Sequence, residues 1–139
     1  MRAQTRLVDS LRAEVRAHLQ PGAGRVRSLN GLALELRNQA PDKSAARFEA
    51  ARQLAQLLGY TAGAAEAELG LGFYYRHRSE YDLAERFSEQ ARHDFERGSD
   101  RLGQTRSLYN QSCVCSDKAW MPAHCRSTCR GLALAEAAQ

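Results

Sequence analysis

Proline is scarce, with three in 139 residues, and two of them, Pro21 and Pro41, stand where a helix would break or begin. Few positions therefore forbid a helix. No apolar run is long enough to cross a membrane. The opening Met1-Arg2-Ala3-Gln4-Thr5-Arg6-Leu7 leads into charges and not into a signal-peptide core. A cytoplasmic address with reduced thiols is expected, so the sequon Asn110-Gln111-Ser112 carries no meaning here. Catalytic motifs are missing too. There is no His-Glu-x-x-His, and His18, His77, His93 and His124 are scattered. Gly70-Leu71-Gly72 falls inside a helical pattern with no Lys-Ser/Thr after it, and Pro21-Gly22-Ala23-Gly24 has no lysine following, so neither reads as a phosphate loop. No Ser/His/Asp or Cys/His arrangement emerges from spacing. The chain is expected to be no enzyme, with no catalytic residues and no cofactor.

What is present is helix-forming. Alanine, leucine, arginine, glutamate and glutamine are abundant, and they lose little side-chain freedom in a helix. Hydrophobic residues at 43% and charged residues at 26% match a folded domain and not a disordered one. The formal charge of +4 is uneven: residues 1–60 carry ten Lys/Arg against five Asp/Glu, and residues 61–139 carry ten against eleven. A basic N-terminal half favours an acidic partner. The alternative is an ordinary solvated helix surface. No element for reading a nucleic-acid groove is visible, so nucleic acid is not an expected partner.

Leu7, Leu11, Val15 and Leu19 recur every fourth position, which predicts an amphipathic helix over 4–19. Further helices are expected over 25–38, 41–58, 62–77, 79–97, 101–116 and 122–137. Pro41 suits the first turn of the third. Gly59 suits its stop, and Ser79 with Asp82 resembles a capping box for the fifth. Seven helices with short turns and no strand signal predict an all-α antiparallel array.

Sliding the sequence along itself until Gly59 meets Gly98 also lays Phe48 on Phe87, Ala45 on Ala84 and Leu32 on Leu71. The same shift lays Leu69 on Leu108 and Ala84 on Ala123. Each unit is then a helix pair that must stack on its neighbours to bury its apolar face. Leu71-Gly72-Phe73-Tyr74-Tyr75, followed by Ala84 and Ala91, resembles the Leu-Gly-x-x-Tyr and alanine positions of the tetratricopeptide repeat family (TPR). The resemblance spans about 25–139 and is clearest in the middle unit. It implies a single TPR-like domain over 1–139: an N-terminal helix, 1–22, and helix-pair repeats at 25–60, 61–99 and 100–139 in a right-handed superhelix. Leu71, Gly72, Tyr75 and Ala84 are expected at one buried crossing. The unit departs from the family in being longer than about 34 residues. Glu68 stands at the tryptophan position, the late proline is absent and Phe87 falls one residue early. Asn110-Gln111 replaces Leu-Gly in the last unit. Longer units resemble sensor regions of bacterial signalling proteins.

Cys113, Cys115, Cys125 and Cys129 lie in the last unit beside His124. Zinc would need four converging ligands, yet Cys113 and Cys115 sit roughly 200° apart around a helix. The expectation is no metal site, with small apolar core thiols as the reading set against a metal-binding protein.

The resemblance places the binding surface on the first helix of each pair. The implied groove residues are Arg27, Asn30, Leu34, Arg37 and Asn38, then Glu66, Leu69, Phe73, Arg76 and His77, then Thr105, Leu108, Ser112 and Cys115. Asparagine can hydrogen-bond a peptide backbone, and arginine can clamp a carboxylate. The function this implies is a protein-interaction module that holds a peptide or protein segment, an acidic one being set against a merely polar inner surface, as the sensory or docking part of a bacterial signalling protein. The alternative is a fragment of a transcription regulator or signalling enzyme whose output domain lies elsewhere. Leu132 and Leu134 cannot both face one preceding helix, which predicts self-association through the two C-terminal helices.

Overall fold

A computed structural model of the chain describes the backbone of residues 2–17 and 21–120, with side chains from 6 to 13 and from 21 to 120. These residues form α1 (Arg2–Ala17), α2 (Ala23–Leu36), α3 (Pro41–Leu57), α4 (Thr61–His77), α5 (Tyr81–Arg97) and α6 (Arg101–Trp120), with no strand among them. The helix expected over 122–137 lies outside the described residues, and so do Cys125, Cys129, His124, Leu132 and Leu134.

The helix ends follow local chemistry. Pro41 occupies the first turn of α3, where its missing N–H costs nothing. Asp42 and Asp82 sit in the first turns of α3 and α5, and Arg76, His77 and Arg97 in the last turns of α4 and α5. Each sign matches the helix dipole. Asp100 caps α6 by accepting the Gly103 N–H at 3.0 Å.

One turn is used three times. Gly59, Ser79 and Ser99, evenly spaced along the chain, hold φ of 64°, 61° and 56°. After each, a backbone N–H returns to the carbonyl five residues back: Tyr60 to Ala55, Glu80 to Tyr75 and Asp100 to Phe95, at 2.8–2.9 Å. This is the left-handed Schellman stop. It corrects two expectations. Ser79 is not an N-cap, because it lies in this turn and Glu80 is the N-cap of α5. Gly59 corresponds to Ser99 and not to Gly98, whose φ of −83° is right-handed. From α3 onward the helix pair therefore repeats by the step from Gly59 to Ser99, one residue longer than the shift that pairs Gly59 with Gly98. The turn before α3, Arg37–Ala40, is different: it is one residue longer than those that follow and holds no left-handed residue.

Serine in a left-handed turn is strained, because its Cβ crowds the neighbouring carbonyl. Ser79→Gly and Ser99→Gly are each expected to stabilise the fold by about 0.5–1 kcal/mol. Thermal unfolding should show a rise of a few degrees in the double variant. A lower Tm would contradict the turn assignment.

Consecutive helices pack on one another, and α2 touches α4, as α4 touches α6. The even-numbered helices thus form one layer, with α3 and α5 behind it. The main core joins Val26, Leu29 and Ala33 of α2 to Phe48, Ala51 and Ala55 of α3 and to Ala64, Ala67 and Leu71 of α4. A second cluster joins Ala65 and Leu69 to Ala91 and Phe95 of α5. Val8 of α1 packs with Leu32 and Leu36.

Small residues set the helix spacing. Gly72 and Ala84 are both buried where α4 meets α5, and a Cβ on Gly72 would lie 2.6 Å from Ser88 Oγ and 3.4 Å from the Ala84 carbonyl, while Leu71, expected at the same crossing, packs in the core between α2, α3 and α4. Tyr75 is only half-buried; its ring stacks on Phe87 at 5.5 Å. In α6, Asn110 takes over with polar contacts. Fully buried, it donates to Ser88 Oγ at 2.7 Å, and Ser88 donates to the Ala84 carbonyl. A buried amide satisfied in this way holds one register between helices.

Candidate binding groove

Arg27, Asn30 and Leu34 of α2 and Arg37 at its C-cap, whose backbone is still right-handed, fall three or four residues apart, so they share one face. Glu66, Leu69 and Phe73 do the same on α4. The contact between α2 and α4 brings these two faces together. They line one pocket of about 270 Å³, together with Gly31, Gly70, Phe48 of α3 and Arg106 of α6. Gly70 has a steric role here. A Cβ at this position would collide with the Phe48 ring, which is 1% exposed and reaches the pocket from behind.

The interior is apolar and the rim is cationic. Leu69 is buried, Phe73 is half-buried, and Leu34 is 44% exposed. The Arg37 guanidinium lies 5.9 Å from the Phe73 ring centroid. Arg27, Arg37 and Arg106 make no ion pair among the described residues. Arg76, Arg78, Arg92 and Lys118, by contrast, are paired with carboxylates. Glu66 is the one acid in the lining. Asn30 is 2% exposed; its Nδ2 donates to the Gly63 carbonyl at 3.0 Å and to Glu66 Oε2 at 3.3 Å. Its Oδ1 has no partner. A buried acceptor left open is unusual, since such groups are normally satisfied.

No family model, curated protein or solved structure matches the chain.

Seven of the residues placed on the groove by the resemblance meet in this pocket: Arg27, Asn30, Leu34, Arg37, Glu66, Leu69 and Phe73. Asn38 and His77 are exposed and do not line it. Arg76 is drawn to α6 instead. Its Nε donates to Asp117 Oδ2 at 2.9 Å, and its Nη1 to Asn110 Oδ1 at 3.4 Å. The third set, Thr105, Leu108, Ser112 and Cys115, lies outside the pocket. For Thr105 the cause is register. The step that carries Gly59 to Ser99 carries Glu66 to Arg106, which does line the pocket, whereas the step from Gly59 to Gly98 carries it to Thr105. The repeated left-handed turns at 59, 79 and 99 hold the correct count.

Two other features fall outside the groove. Cys113 is half-buried and Cys115 exposed, so Cys115 is no core thiol. No group of described residues could hold a metal ion. Glu68, on another face of α4 from Glu66, is 3% exposed with an unpartnered Oε2. Burial first, then the negative charges of Asp94 and Glu49, push its carboxyl up to about 7, against the pull of Arg52. Arg52 is engaged by Glu49 at 2.7 and 3.1 Å and lies over the Phe87 ring. Among the described residues, no helix is long and apolar enough to cross a membrane.

Proposed function

We propose that the chain is a protein-interaction module, a TPR-like stack of helix pairs whose α2–α4–α6 layer holds a segment of another protein. The observation that carries this reading is the pocket between α2 and α4. It combines an exposed apolar side chain, Leu34, a buried apolar floor and a cationic rim that makes no ion pair among the described residues. The even recurrence of the turns at 59, 79 and 99 supports the repeat reading, because a regular helix-plus-turn unit stacks into a continuous layer. The pocket lies just under the roughly 300–1,000 Å³ usual for a small-molecule site. That suits an anchoring side chain of a longer segment better than a whole cofactor. A helical signalling protein that docks partners in this way needs no chemistry of its own, which agrees with the missing catalytic motifs.

Selection from a displayed random-peptide library tests the reading. Enrichment is expected on the wild-type chain, with affinity falling at least about tenfold on Leu34→Asp, as loss of a desolvated anchor contact would cause. Leu34 is exposed on the pocket side, so the variant should keep the wild-type Tm. Peptides that bind both chains equally would place recognition elsewhere.

A further inference from the structure

We infer that the segment held in this groove is acidic and carries a single apolar anchor: a leucine-sized side chain enters between Leu34 and Phe73, and flanking carboxylates meet Arg27, Arg37 and Arg106. This inference rests on the interaction-module reading and adds the chemistry of the partner.

Two observations carry it. The first is charge. Three guanidiniums from two helices surround one pocket without a carboxylate partner among the described residues, while Arg76 of the same layer, one turn from Phe73, is taken by Asp117. Guanidinium forks match carboxylates in both geometry and charge. The second is the apolar interior. Leu34 and the half-buried Phe73 offer surface to one hydrophobic side chain and have no use for a purely charged ligand.

A nucleic acid fits less well. Arg37 lies against the Phe73 ring, the surface a base would need for stacking.

The test titrates the full chain with four fluorescent probes at low salt: a peptide with one leucine flanked by glutamates, its glutamine-flanked analogue, its analogue with alanine for the leucine, and a single-stranded oligonucleotide of equal length. The glutamate–leucine peptide is expected to bind at least about tenfold more tightly than the other three. Its affinity should fall as salt rises. An Arg37→Glu, Arg106→Glu double variant should lose it and turn its preference to a lysine-flanked leucine peptide. Retained thermal unfolding would show the variant folded. Equal binding of the glutamine and glutamate peptides would overturn the acidic inference and leave the interaction module standing. Stronger binding of the oligonucleotide, abolished in the double variant, would overturn it in favour of a polyanion site. If none of the three peptides binds while library selection still enriches Leu34-dependent peptides, the acidic-anchor inference falls and the interaction module stands; if selection fails as well, both fall.

Discussion

Phe48→Ala is expected to lower the unfolding free energy by roughly 3–5 kcal/mol, the usual cost of emptying a buried aromatic site. The ring is 1% exposed at the centre of the largest core cluster, where α2, α3 and α4 meet. It also fills the space that Gly70 leaves by having no Cβ. The neighbours Ala51, Ala55, Ala64 and Ala67 are small and cannot reach into the void. A domain of this size holds about 5–15 kcal/mol in total, so the variant should sit near the edge of folding. Phe48→Leu keeps most of the volume and should cost less than about half as much. Chemical denaturation of the three chains measures this. A Phe48→Ala loss below about 1 kcal/mol would show that the ring is not the keystone between the layers.

The second large effect is a pH dependence centred on Glu68. Its carboxyl is raised from 4.5 to about 7 in the folded chain. The native state therefore holds a proton that the unfolded state releases over that interval. The contribution is fully favourable below about pH 4.5 and is lost as pH rises through about 7. Glu49 runs the other way, since hydrogen bonding to Arg52 lowers its carboxyl, so its contribution is lost as pH falls. The difference between wild type and Glu68→Gln isolates the first effect. The variant should gain on the wild type as pH rises from about 4.5, ending roughly 1–3 kcal/mol more stable at about pH 8. Parallel stability curves for the two chains would contradict the burial of an unpartnered carboxylate at this position.

Helix positions were legible because the apolar spacing and the breakers agreed. Pro41 and Gly59 bound α3 where expected, and α4 and α5 differ from their expected spans by a residue or two. The left-handed serines were not legible. Ser79 carries the residue type of an N-cap, and only the recurrence of the turn at 59, 79 and 99 shows that it plays the part Gly59 plays. The missed turn count propagated into the site. It moved the α6 face by one residue, about 100° around the helix, and so selected Thr105 in place of Arg106. Arg76 was misplaced for a different reason. Spacing gives the face on which a side chain starts, while Asp117, 41 residues away in sequence, determines where it ends. The buried state of Glu68 was hidden too, since a lone glutamate in a helical pattern reads as solvated surface. Asn110 looked like a weakened Leu-Gly position under the shorter shift; the observed step sets it against Gly70, and it makes a satisfied polar contact with Ser88.

The most direct test of the central claim is to map a bound peptide on the isotope-labelled chain by backbone amide shifts. A peptide selected on the wild type is expected to shift residues along one face, Arg27, Asn30 and Leu34 on α2, Leu69 and Phe73 on α4 and Arg106 on α6, with α3 and α5 little changed except near Phe48. Shifts confined to the outer faces of α3 and α5, with the α2–α4 pocket undisturbed, would contradict it.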